Sequence, residues 1–211
     1  MNRKYDGFTL AEVLITLVII GVIAAMTIPT LINKTNNQEY VTRLKKIYST
    51  LGQASNKIIS EEGSPKAWAV SNENVYNLYK KHLQIAKDCG QTGECFPDVV
   101  YKRLNNTTLS GLHSRTNLYS VKLADGASVI FGWANNGLCN KNNSGTNNYC
   151  TLIDVDLNAE KGPNAYGYDF FTFALTENGF YPAGCDTDEC DNSNNGGGCA
   201  CKVLRENAIN Y

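Results

Sequence analysis

The chain opens on a long apolar run. From Phe8 to Ile28 hydrophobic residues are nearly unbroken, and the only charge among them is Glu12. As a helix rising about 1.5 Å per residue, this run is roughly 31 Å long, close to the thickness of a bilayer's hydrocarbon core. After a polar stretch from Asn33 to Asn37 the pattern becomes amphipathic. Val41, Leu44, Tyr48, Leu51, Ser55 and Ile58 recur at alternating spacings of three and four, with Tyr40, Ile47 and Ala54 beside them. Such a stripe predicts one buried helix face, with Arg43, Lys45 and Lys46 on the basic side opposite. Glu61-Glu62-Gly63-Ser64-Pro65 ends the helix, since Gly and Pro are stop signals. Residues 8–62 thus read as one helix of roughly 80 Å. Pro29 lacks an N–H, so it either kinks that helix or ends and restarts it.

Beyond the long helix, Asn72 to Lys87 predicts a shorter one. Asn72 or Asn74 serves as its cap, and Val75, Leu78, Tyr79, His82, Leu83 and Ala86 form its apolar face. Residues 96–117 show no regular period. From Leu118 the period switches to two. Tyr119 to Leu123 and Ser128 to Trp133 flank Asp125-Gly126, a strong hairpin signal. Thr151 to Leu157 and Phe170 to Leu175 read as third and fourth strands, and Glu177-Asn178-Gly179 turns the chain into Phe180-Tyr181-Pro182. Val203-Leu204 is expected to add a last strand edge.

Composition sharpens this outline. The 211 residues suit one domain plus an anchor, and the net charge of −1 argues against a basic nucleic-acid-binding surface. Eight cysteines in an exported chain point to disulfides. Cys89 and Cys95 bracket a short glycine-containing loop, and Cys139 and Cys150 bracket an Asn/Gly-rich excursion. Cys185, Cys190, Cys199 and Cys201 surround a second such loop. They lack the paired C-x2-C knuckles of a zinc site, so pairs running from Cys199 and Cys201 back to Cys185 and Cys190 are expected, with the connectivity left open.

Two residues do not suit an ordinary membrane anchor. Glu12 is a carboxylate inside the apolar run, where an ionised group costs up to about 2.5–3.5 kcal/mol without a partner. Gly7 marks the junction between a polar leader carrying Arg3 and Lys4 and the apolar run. A secretory signal peptide would have a shorter apolar region and a small-x-small cleavage site. A plain anchor explains the length but neither Gly7 nor Glu12.

G-F-T-L-x-E ahead of an apolar helix resembles the prepilin processing motif of type IV pilins and type II secretion pseudopilins. The resemblance implies cleavage between Gly7 and Phe8, N-methylation of Phe8, and assembly through Phe8, Glu12 and Pro29, the proline bending a continuous helix. The implied partners are a prepilin peptidase, further copies of the chain or other pilins, an inner-membrane assembly platform and membrane lipid. The expected location is the cytoplasmic membrane, single-pass with the head outside the cytoplasm, followed by a periplasmic or extracellular filament. The expected architecture is α+β and pilin-like. It comprises a leader (1–7), a transmembrane and filament-core helix (8–28), its amphipathic continuation (29–62) and a globular head (63–211). In that head the helix lies on an antiparallel sheet of about four strands with disulfide-pinned loops.

Asp154, Asp156 and Asn158 alternate in a way that suits a Ca²⁺ ion. An EF-hand loop is excluded, because its required Gly and Glu positions hold Ala159 and Ala165. Some pseudopilin heads hold calcium in a loop after the sheet. The same stretch runs into Lys161-Gly162-Pro163-Asn164, similar to a K-G-P-N-x-x-G-x-D-x-F segment of pilin-like proteins that reads as strand, turn and strand. No serine–histidine–acid set and no phosphate-binding glycine loop emerges, so no enzyme is read. A tethered extracellular module that binds glycans or calcium without polymerising is the alternative of a different class. A DNA-uptake minor pilin is a third.

Overall fold

The computed structural model describes residues 7–109, 111–187, 190–191 and 195–211. The polar leader up to Asp6 and the Asn192-Ser193-Asn194 tract of the tail lie outside the described residues. The chain divides into two compact units, 1–38 and 39–211.

Helix α1 runs unbroken from Leu10 to Glu62 with Pro29 inside it. In the first unit its large apolar side chains stand exposed, from Leu10 at 78 % to Ile32 at 52 %. In the second unit the expected stripe is buried: Leu44, Leu51, Ser55 and Ile58 are fully covered and Ile47 nearly so. They join one core with Val129, Ile153, Val155, Phe171 and Phe173 of the sheet. Tyr48 stacks on Phe173 and on Phe180, each at 5.9 Å between ring centres. The basic face is engaged within the head. Arg43 pairs with Glu39 at 2.8 Å, Lys46 with Asp125 at 2.9 Å, and Lys45 Nζ donates to Asn207 Oδ1 at 2.6 Å.

Two short helices follow, α2 (Pro65–Trp68) and α3 (Asn72–Lys80). The cap of α3 is Ser71, whose hydroxyl accepts from Asn74 N at 3.1 Å, rather than Asn72 or Asn74. The helix also stops at Lys80, short of Lys87. Ile85–Gly90 forms strand β1 instead. A partner far along the chain decides this, because Ile85 and Lys87 pair with Leu123 and Lys122.

The remaining strands are β2 (Tyr101–Lys102), β3 (Thr108–Leu109), β4 (Tyr119–Leu123), β5 (Ser128–Gly132), β6 (Lys141–Asn143), β7 (Thr146–Asp156), β8 (Phe170–Thr176) and β9 (Gly179–Pro182). Among the described residues they build a seven-stranded antiparallel sheet in the order β1-β4-β5-β7-β8-β9, with β6 on β7, beside a separate β2-β3 pair. The four central strands match the alternating segments of the sequence, while β1, β6 and β9 extend the sheet at its margins.

Both faces of β7 are covered from Tyr149 to Asp156. Ile153 and Val155 face the core that holds α1, and the alternate residues Leu152, Asp154 and Asp156 face the other side. A smaller cluster including Phe96, Tyr101, Leu118, Ile130 and Phe170 covers part of that side.

The tail is helical. α4 (Cys199–Glu206) takes the place of the strand edge expected at Val203-Leu204, with Ala200 and Val203 buried one turn apart. All eight cysteines are paired: Cys89–Cys95, Cys139–Cys150, and a nested set in which Cys185–Cys201 encloses Cys190–Cys199. The nested pairs anchor the first turn of α4, and no cysteine is left free. Gly184, at φ +92°, lies so close to this turn that an added Cβ would meet the carbonyl oxygen of Gly198.

Candidate functional site

The expected cleavage junction, Gly7-Phe8, lies immediately ahead of α1. Gly7 is exposed and Phe8 is 88 % exposed. Thr9 and Glu12 then close a reciprocal cap. Glu12 N donates to Thr9 Oγ1 at 3.2 Å, while Thr9 N and Thr9 Oγ1 both donate to Glu12 Oε2, at 2.8 and 2.9 Å. This is a capping box, and it places the acid at the positive end of the helix. The acid in the apolar run is therefore satisfied by its own chain. Thr9 is the residue that sequence reasoning overlooked here, although T-x-x-E is itself a recognisable helix-start signature.

Further along, the hydroxyls in the apolar run also bond locally. Thr16 Oγ1 donates to Val13 O and Thr27 Oγ1 to Ile23 O, both at 2.9 Å, and Thr30 Oγ1 donates to Met26 O at 3.0 Å. Pro29 offers no N–H to the carbonyl of Ala25 four residues earlier. The helix nevertheless continues on both sides of it. Among the described residues α1 is the one helix long and apolar enough to cross a membrane.

In the head, the residues selected for calcium carry hydrogen bonds within the chain. Asp154 Oδ1 accepts from Thr172 Oγ1 at 2.6 Å and its Oδ2 from Tyr166 OH at 3.4 Å. Asp156 accepts from Tyr101 OH and, through Oδ1, from Asn158 N at 3.0 Å and Ala159 N at 2.7 Å. Asn158 contributes a backbone donor to that turn, and its side-chain Oδ1 is buried without a hydrogen-bond partner among the described residues. Asp169 closes the other end of the loop, accepting from Asn164 N at 2.9 Å and Ala165 N at 2.8 Å. No group of three or more His, Cys, Asp or Glu is placed to hold a metal among the described residues. Burial pushes the Asp154 carboxyl up to about 6, against the opposing Thr172 bond and the charge of Arg115. Burial, reinforced by the charge of Asp156, pushes Asp169 up to about 7. Burial also raises Asp156, against its hydrogen bonds from Tyr101 and the turn.

Asp154 lies at a cavity of about 210 Å³ on this side of the sheet, shared with Arg103, Arg115, Trp133, Tyr166 and Thr172. No sequence pattern marks this group, since its members are scattered from Arg103 to Thr172.

An apolar helix entered through a capped acid and continuing into a head with an antiparallel sheet defines a type IV pilin-like protein. The prokaryotic N-terminal methylation motif matches residues 2–28. Residues 30–197 match a family of unknown function (DUF6613), and the chain belongs to that family. No curated protein and no solved structure matches the chain.

Proposed function

We propose that this chain is a structural subunit of a type IV pilus or a type II secretion pseudopilus. A prepilin peptidase cuts it between Gly7 and Phe8, the new Phe8 amine is methylated, and the subunit waits in the cytoplasmic membrane with its head outside. An assembly platform then draws it into a filament of packed N-terminal helices. The observation that carries this reading is an exposed apolar helix face whose single acid is placed one turn from the cleavage junction. Contiguous exposed apolar surface on this scale calls for lipid or a protein partner.

The chemistry follows from Glu12. In the isolated chain the Thr9 cap keeps the carboxylate hydrogen-bonded while the helix rests in lipid. Cleavage frees an α-amine on Phe8 that is mostly protonated near neutral pH. A neighbouring subunit displaced by about one turn, roughly 5–6 Å, brings its amine to this Glu12. In a low-dielectric bundle that pair disfavours other registers, so Glu12 sets the stagger while Leu, Ile and Val supply the contact. Gly21, Ala24 and Ala25 allow helices to approach closely.

Mass spectrometry of the mature amino terminus tests the proposal. An N-methylated Phe8 is the expected result. A chain in the membrane that retains Met1 to Gly7 would overturn it and favour the tethered, non-polymerising module.

A further inference from the structure

The cavity lined by Asp154 lies on the side of the sheet opposite the core that holds the second half of α1. Its charge is unbalanced. Arg103 and Arg115 both line it, against one carboxylate, Asp154. Among the described residues neither arginine forms an ion pair. Both are close enough to act electrostatically on the buried Tyr166 hydroxyl. Guanidinium groups present planar forks of donors matched to carboxylates, so two arginines lining one cavity, without an ion pair among the described residues, suit an anionic ligand.

The rest of the lining is mixed, with Leu109, Leu112 and Leu152 as its apolar part. Asn143, Ser144, Asn195 and Thr172 contribute amides and hydroxyls, and Asp154 is a buried acceptor already aligned by Thr172 at 2.6 Å. Trp133 supplies an aromatic wall, with the Arg115 guanidinium 6.0 Å from its ring centre. Trp133 also holds a left-handed backbone, φ 55°. For a bulky residue that conformation is strained and persists where the surroundings require it, commonly at ligand sites. The volume, about 210 Å³, lies below the roughly 300–1,000 Å³ of drug-sized sites, so it suits a single sugar-sized group.

From this combination we infer that the cavity bounded by Arg103, Arg115, Trp133 and Asp154 is a binding site for an acidic sugar. The arginines take the carboxylate, and Asp154 with the neighbouring amides and hydroxyls takes the ring hydroxyls. A bare anion would use only the arginines, and a neutral sugar would leave both forks unsatisfied.

The test uses the full chain in detergent micelles and follows the tryptophan fluorescence to which Trp133 contributes. Sodium glucuronate, galacturonate and N-acetylneuraminate are titrated beside methyl glucoside, sodium acetate and inorganic phosphate. At least one acidic sugar is expected to give a saturable change, with the neutral sugar and simple anions at least about tenfold weaker. Arg103→Gln and Arg115→Gln should each weaken the acidic sugar by at least about tenfold with the near-ultraviolet circular dichroism unchanged. Saturation by none of the three acidic sugars would overturn the inference. Equal binding of acetate or phosphate would reduce the cavity to an anion site, and equal binding of methyl glucoside would remove the arginines' role; either outcome overturns it. Should a variant misfold, the ligand series on the unaltered chain still decides.

Discussion

The two units solve opposite problems with the same helix. Up to Gln38 the Glu12 carboxylate and the hydroxyls of Thr16, Thr27, Thr30 and Thr35 bond to neighbours within four residues, and the large apolar side chains of α1 are left uncovered. From Glu39 onward the helix contributes a stripe to a closed core and its cations reach distant partners such as Asp125 and Asn207. Among the described residues the large apolar side chains of the first unit stand exposed, whereas those of the second are gathered into a closed core. The proposed function needs this division, because lipid and neighbouring helices can replace one another only at an uncommitted face.

The most severe way to break the contrast is Glu12→Ala. Membrane insertion and the unfolding of the head should be unaffected, while filament yield, measured by shearing and cross-linking, should fall to background. Normal filaments from this variant would remove Glu12 from assembly. Next in size, Phe173→Ala opens the core beneath Tyr48 and Phe180 and should cost about 3–5 kcal/mol in urea unfolding followed by near-ultraviolet circular dichroism. Ile19→Ala, on the exposed face, should change the same unfolding by about 0.5 kcal/mol or less. Similar losses from both would show that the units are not independent in energy.

A third experiment uses pH. The Asp154 carboxyl titrates at about 6 in the folded chain, against about 3.9 in an unfolded one. The folded state therefore holds the proton more tightly, and this stabilisation is fully present below about pH 4 and lost as pH rises through about 6. Asp154→Asn should remove that component, so that between pH 4 and 7 the unaltered chain loses on the order of 2 kcal/mol relative to the variant. Parallel pH profiles would show that Asp154 does not titrate across this range. A more local effect belongs to Thr9→Ala, which deletes one half of the capping box and should cost about 1 kcal/mol of helix stability at its start. Faster amide exchange confined to Leu10 through Val13 is the expected signature.

Much of this was legible in advance, for a physical reason that differs along the chain. The long helix, its stripe from Val41 to Ile58 and the hairpin around Asp125-Gly126 are written in short-range periods that a single segment can express. Ala86 and Lys87 were misread because the spacing from Val75 onward continues a helical face, while β4 offers Ile85 and Lys87 a backbone partner. Val203 was misread because two disulfides seat the first turn of α4 in place of a strand edge. Asp154 and Asp156 were selected for their alternation, and alternation cannot reveal that Thr172, Tyr166 and Tyr101 are already bound to them.

By itself, then, the order of residues determined the apolar rod, its acid, the cleavage-type junction and the strands with clear alternation, since each depends on residues a few places apart. Only the tertiary structure decided the nesting of the last four cysteines, the strand at Ile85–Gly90 and the meeting of Arg103, Arg115, Trp133 and Asp154 around one cavity. Those features join positions separated by many residues, where the choice of partner is set by packing against the whole sheet rather than by any local preference of the chain.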